Sequence, residues 1–342
     1  MSLDRRLELI KSIEDERGSR VVCYLTGDRT PDLSTRIAMD VFPNLYDLLV
    51  RMGKQQQIDL IVYSTGGHTM AAWGLVNLLR EFCERLCVLV PFKAHSSATL
   101  IALGADEILM SKMGQLSPVD PTVTSPFNPT LPNQPPGQPP NFLPVSVEDV
   151  VSFIDLVRDE AKIKEEAHIA EIMKVLASDV RPLALGSVYR AKQQIGMLAK
   201  KLLGFHMGEQ DHTKVEHIVE TLTRKLYSHD YLVGRKEAKE FVGLKITDCS
   251  DALEQKTMEL FFDYSEEMEL NTPYSHEIIL GSQTTKVAEF TRAFLETRER
   301  TYVFRSRREI KRVKATHQGL PVEGFQERTL EEGWRLEARK AK

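Results

Sequence analysis

The sequence predicts an α/β protein with a mostly parallel sheet, and three observations carry that prediction. Four short apolar runs, "RVVCYLTG" (20–27), "IDLIVYS" (58–64), "RLCVLVPF" (85–92) and "EILMS" (107–111), are rich in strand-forming residues, and three of them end in Gly or Ser. Stretches with helical spacing alternate with them, as βαβ units require. The runs are apolar at successive positions rather than at every second one, so both sheet faces are buried and helices cover both sides.

The elements follow in order. Residues 3–17 form an amphipathic helix ahead of the first strand. "STRIAMDVFPNLYDLLVRMG" (34–53) has helical spacing, with Pro43 as an interruption. "TMAAWGLVNLLREF" (69–82) and "SATLIALGA" (97–105) supply the next two crossovers. The composition then breaks: 118–145 holds ten of the sixteen prolines. That stretch cannot be a central strand and is expected to be an exposed, extended loop, either a surface insertion or a lid or docking arm. Helical patterns resume at 146–178, 183–204 and 212–227, and "VGRKEAKEFVGLKI" (233–246) gives a short helix, a Gly turn and a strand start. From 285 onward the chain is highly charged. Its densest basic run, "VFRSRREIKRVKATH" (303–317), is expected to be a solvated helix face, with a partner- or nucleic-acid-contacting patch as the alternative. The organisation is therefore an N-terminal helix (1–19), a core (20–117), the Pro-rich loop (118–145), a helical remainder (146–250) and a charged C-terminal extension (251–342).

Bulk properties narrow the function classes. With 342 residues, 42% hydrophobic and 27% charged, the chain suits a soluble globular protein. Its net charge of -4 gives no general attraction to nucleic acid. The charged N-terminus lacks the apolar core of a signal peptide, and no apolar stretch is long enough to span a bilayer, so a cytoplasmic setting is expected. Cys83 and Cys87 stand four apart on an expected helix, but with Cys23 and Cys249 they make no zinc pattern; reduced thiols and no metal or other cofactor are expected.

The chemistry-bearing residues sit at two strand-to-helix junctions. Gly66-Gly67 follows the second strand, where glycine permits unusual backbone angles and lets a ligand approach main-chain N–H groups. Ser96 and Ser97 open the next crossover helix. Consecutive junctions of a parallel sheet lie at its carboxyl edge. An alcohol beside two main-chain donors is what acyl transfer needs: the alcohol attacks a carbonyl and the N–H groups hold the oxyanion. The bland alternative makes Ser96 an N-cap and the glycines an ordinary turn.

"YSTGGHTMAAWGLVNLL", "KAHSSATLIALGADEILMSKMGQLSPVDP" and "YLVGRKEAKEFVGL", in that order, resemble the ClpP/crotonase superfamily, and within it the SppA-like peptidases and the serine dehydrogenase proteinase family. The resemblance covers residues 20–121 and, more loosely, 225–246. It implies a ClpP/crotonase-like core of stacked β-α-β units with helical C-terminal additions. It also implies a serine peptidase with Ser96 as nucleophile and Gly66 or Gly67 and the Ser97 N–H as oxyanion donors. Thr99 matches the threonine that follows the nucleophile in SppA-like relatives; Ala98 replaces their usual Gly. The Clp-type catalytic His would fall in "LSPVDP", where the chain has Asp120 and no His. SppA-like relatives use a Ser-Lys dyad instead.

A lysine base must be neutral, which requires an apolar setting. Lys192 lies in a stripe of Leu185, Val188, Ile195, Ala199 and Leu202 at helical spacing and is the expected base, unless its ammonium snorkels to water. Lys164 and His229 are the other candidates. His95 is adjacent to Ser96 and points the other way in an extended segment; His68 is placed along a substrate groove or in solvent. The resemblance further implies a homo-oligomer acting on peptide or unfolded protein. A crotonase-like acyl-CoA thioester enzyme and a catalytically silent scaffold of the same fold are the competing readings.

Overall fold

The expected alternation is realised as one eight-stranded sheet. The computed structural model describes residues 3–119, 122–131, 140–317 and 320–338. These residues divide into two units, one of 1–116 with 233–342 and one of 117–232.

In the first unit, helix α1 (Leu3–Arg17) precedes β1 (Arg20–Thr26), and α2 (Phe42–Met52), β2 (Gln55–Tyr63), α3 (Thr69–Arg80), β3 (Cys83–Val90), α4 (Ser97–Leu103) and β4 (Glu107–Met110) follow. After the second unit come β5 (Ile246–Thr247), α5 (Asp251–Glu267), β6 (Thr285–Glu296), β7 (Thr301–His317) and β8 (Leu320–Leu336). The strand order is β5-β4-β3-β2-β1-β6-β7-β8. Pairs from β5 through β1 are parallel, and those from β1 through β8 are antiparallel. The class is the expected mixed α/β.

The continuous apolar character of the strands has the predicted consequence. Val21, Cys23 and Leu25 of β1 pack in one cluster with Leu9, Ile10 and Ile13 of α1 and Leu260, Phe261 and Tyr264 of α5. The alternate residues Val22, Leu60, Val62 and Val88 are equally buried, so the sheet is a middle layer. Arg6 of α1 is buried with a charge-assisted set: its guanidinium meets Asp263 at 3.0 Å and Glu296 at 3.3 Å, and lies over the Tyr264 and Phe294 rings.

Several expectations are corrected. Pro43 does not interrupt a helix; it sits in the first turn of α2, where its missing N–H costs nothing. Cys83 and Cys87 lie on strand β3, not on a helix; period 2 overrode the four-residue spacing. The largest correction concerns 303–317. It is strand β7, paired on both sides, with Val303, Ser306, Arg308 and Ile310 buried in near alternation. Two of its arginines are paired across the sheet: Arg305 meets Glu289 at 3.4 Å and Glu337 at 3.1 Å, and Arg308 pairs with Glu327. The basic run is therefore no free cationic patch along these pairs. The segment from 251, expected as an extension, supplies three strands to the main sheet.

The second unit is helical, with helices Val147–Asp155, Glu166–Asp179, Pro182–Leu203 and His212–Glu220, and a cluster of Val145, Val147 and Val188. The described part of the Pro-rich stretch is anchored rather than wholly exposed. Residues 122–123 pair with 145–146, and the buried Asn128 side chain donates to the carbonyls of Val123 (2.7 Å) and Leu143 (2.9 Å).

Candidate active site

Two neighbouring strands, β2 and β3, deliver the glycines and the serine to one place. Beyond their ends the chain stays paired: the Ser64 N–H donates to the Lys93 carbonyl at 2.9 Å, and the His95 N–H donates to the Ser64 carbonyl at 3.0 Å. This ladder brings Gly66 against Ser96. A Cβ placed on Gly66 would lie 2.8 Å from the Ser96 Cβ and 3.2 Å from its Oγ. Only glycine fits there, and its φ of +111° also requires glycine. At Gly67, φ is +155° and a Cβ would stand 2.2 Å from the Ile37 carbonyl oxygen. The Ile37 backbone straddles this turn, donating to the Gly66 carbonyl at 2.9 Å and accepting from the His68 N–H at 2.8 Å.

Ser96 itself has φ 52° and ψ -114°. A non-glycine residue held with positive φ costs on the order of 1–3 kcal/mol and persists only where the surroundings dictate it. It stands at the N-cap position of α4, but its side chain makes no capping bond there. The Thr99 hydroxyl ties the helix back to the Ala94 carbonyl at 2.8 Å, and Ala98 is fully buried in the same turn. Ser97 is buried too, and its Oγ has no hydrogen-bond partner among the described residues.

The two glycines have different duties. The Gly66 N–H is already committed, donating to the Ser64 Oγ at 3.0 Å. Among the described residues no hydrogen bond engages the Gly67 N–H or the Ser97 N–H. The structure thus places two unengaged main-chain donors in the residues flanking the contact between Gly66 and Ser96. A cavity of about 300 Å³ opens beside Gly67, lined among others by Thr35, Arg36, Asp40, His68 and Arg292; His68 is exposed at its rim.

The cationic candidates are equally distinct. Lys93, close before Ser96, is no free base, because its ammonium is paired with Asp28 at 2.7 Å and Asp28 also accepts from the Tyr63 hydroxyl. Lys192 lies in the second unit on helix Pro182–Leu203, half-buried between Val188 and Ile195. It lines a cavity of about 360 Å³ walled by Val150, Ile154, Met173 and Leu176. Burial, and then the charge of Arg224, holds its amine below the ordinary lysine range. Lys164 and His229 are exposed in the same unit, and Asp120 lies outside the described residues. Ser96, Gly66, Gly67 and Ser97 are therefore brought together in the first unit, whereas the base candidates belong to the second.

Sequence reasoning missed Ser64 and Thr26, whose hydroxyls meet beneath the glycine turn at 2.7 Å. The available signal was a hydroxyl residue at the buried end of a strand, in "YSTGG". Among the described residues no cluster of His, Cys, Asp or Glu is placed to hold a metal ion. The cysteines are free thiols, with burial pushing Cys87 up to about 12 and Cys249 up to about 11. Among the described residues no helix is long and apolar enough to cross a membrane.

The site is thus a serine at a strand-to-helix junction facing a glycine turn in a layered α/β core. Residues 1–131 match the family model of the ClpP-like SDH-type serine proteinases, so the resemblance read from the motifs holds over that part, and it is a resemblance to serine peptidases. An uncharacterized protein of Methanocaldococcus jannaschii is 25% identical over 246 residues, covering 70% of this chain and 73% of that protein. A second uncharacterized protein of the same organism is 31% identical over 127 residues, but the match spans only 35% of this chain and 42% of the relative. Among solved structures, ClpP1 from Listeria monocytogenes aligns over 72% of this chain and 99% of its own, with a TM-score of 0.36 and 14% identity.

Proposed function

We propose that the protein is a serine peptidase in which Ser96 is the nucleophile, the Gly67 and Ser97 N–H groups hold the oxyanion, and Lys192 is the base. The observation that supports it best is the contact of Gly66 with a positive-φ Ser96 while both neighbouring N–H groups stay unengaged. In this reading the neutral Lys192 amine takes the Ser96 proton as Oγ attacks the peptide carbonyl. Charge develops on the carbonyl oxygen and is met by the two N–H groups. Collapse breaks the C–N bond, the leaving amine takes the proton back from the lysine ammonium, and water releases the acyl group by the same steps in reverse. Lys192 is assigned on chemistry: its lowered pKa raises the neutral fraction near neutral pH.

The reading takes peptide or unfolded protein as substrate, uses no cofactor, and sets the protein in the cytoplasm as a homo-oligomer. A crotonase-like thioester enzyme would instead use carboxylates as acid and base. The two carboxylates on the cavity beside Gly67 are already engaged, Asp40 by the Trp334 indole N–H and Glu332 by Arg292.

The test is labelling with a fluorophosphonate, in which an Oγ–P bond forms and fluoride leaves. A single adduct at Ser96, absent from Ser96→Ala, together with loss of at least about 1000-fold in peptide hydrolysis in that variant, is expected. An unlabelled Ser96 in the wild-type protein, with no peptide turnover, overturns the reading in favour of a silent scaffold.

A further inference from the structure

We propose that Ser64, backed by Thr26, is a positioning residue that aims the Gly67 N–H at the oxyanion. The inference rests on the peptidase reading and deepens it. Ser64 and Thr26 are fully buried at the ends of neighbouring strands β2 and β1. The Ser64 hydroxyl is saturated. It accepts from the Thr26 hydroxyl at 2.7 Å and from the Gly66 N–H at 3.0 Å, and it donates its one proton to the Gly66 carbonyl at 3.3 Å.

The last of these bonds matters most for chemistry. The Gly66 carbonyl and the Gly67 N–H belong to one planar peptide unit and point in opposite directions. Pinning the carbonyl therefore pins the donor. Two groups hold that carbonyl, the Ile37 N–H from the segment bridged to the turn and the Ser64 hydroxyl from within the turn. Between two glycines the peptide plane is otherwise free to rotate, because neither residue has a Cβ to oppose it. Ser64 also reaches the nucleophile's side: its own N–H and carbonyl clamp Lys93 and His95, the residues leading to Ser96. One residue thus sets both partners of the proposed site, and a hydroxyl rather than any small side chain is required to do it.

The experiment compares Ser64→Ala and Thr26→Val with wild type, in the full chain. Ser64→Ala should lower kcat for peptide hydrolysis and the rate of fluorophosphonate labelling together, by about tenfold to a hundredfold, with KM within about twofold. Thr26→Val, which leaves Ser64 its own bonds to Gly66, should lose about threefold. A merely structural role would instead reduce the titre of labelled sites and leave kcat per labelled site unchanged, and that outcome overturns the inference. Amide hydrogen exchange gives a readout that needs no activity. The Gly66 amide should exchange at least about tenfold faster in Ser64→Ala than in wild type. Unchanged exchange there overturns the inference even if the enzyme is inactive, whereas a wild-type protein unlabelled at Ser96 overturns the peptidase reading alone. If Ser64→Ala does not fold, Ser64→Cys, which keeps the side-chain shape but is a weak donor and acceptor toward Gly66, carries the same two measurements.

Discussion

The glycine-serine junction and the surroundings of Lys192 are built on opposite principles. At the junction the backbone does the work. Two turn residues, Ser64 and Gly66, are fixed by hydrogen bonds to Thr26, Ile37, Lys93 and His95, and the serine that faces them is held in a conformation that only strong surroundings impose. Around Lys192 there is little such fixing. The lysine stands among apolar side chains beside a cavity of about 360 Å³, and its altered chemistry comes from missing water and a nearby Arg224. The first arrangement supplies geometry and the second supplies a pKa. An acyl-transfer enzyme needs both.

The contrast predicts unequal sensitivity to substitution, and Gly67→Ala should show the largest effect. The added Cβ would sit 2.2 Å from the Ile37 carbonyl oxygen and 2.5 Å from the Ile37 nitrogen, both backbone atoms that cannot swing aside. The turn must then rebuild, and labelling of Ser96 should fall by at least about 1000-fold, with a loss of stability of about 3 kcal/mol or more. A Gly67→Ala protein with near-normal labelling and melting temperature would dissolve the comparison, since it would mean the backbone is not the determinant.

Lys192→Met comes next. It keeps the volume of the stem and removes the amine, so kcat should drop by about 100-fold to 10000-fold while the melting temperature holds or rises, because a half-buried amine is lost. The pH profile sharpens the point. A lysine base acts only when neutral, and its folded pKa is lowered by burial. Activity should therefore rise with pH along a limb whose midpoint lies below about 10.4, the ordinary lysine value, and stay high above it. A limb near about 6.5 would indicate a histidine in that role.

The same contrast explains what could be read from the sequence. The parallel core was legible because its strands are apolar on both faces, and the junction was legible because backbone constraints select particular residues: two glycines where a Cβ would meet Ser96 and Ile37, and a serine at the next strand end. Ser64 escaped notice because a buried hydroxyl in "YSTGG" looks like any polar turn residue until its partner Thr26, 38 positions away, is seen. The C-terminal strands were misread for a related reason. The basic run of β7 is acceptable in a sheet only because Glu289, Glu327 and Glu337 lie across from it, and cross-strand pairing at that separation leaves no local periodic signal. Lys192 was found through the apolar stripe around it, a signal that marks burial but not partnership.

The smallest effect separates backbone from side chain within the junction itself. Only the N–H of Ser97 is assigned a role; its hydroxyl is fully buried and lacks a hydrogen-bond partner among the described residues. A buried hydroxyl without a partner keeps its desolvation cost, so removing it should help slightly. Ser97→Ala leaves the N–H in place on the first residue of α4 and improves local helix propensity. It should therefore keep kcat/KM within about twofold of wild type and stabilise the fold by about 0–1 kcal/mol, read as an unchanged or slightly higher melting temperature. A tenfold loss of activity in this variant would show that the hydroxyl, and not the main chain alone, contributes at the site, and the division between a backbone-built junction and a side-chain-built base would have to be redrawn.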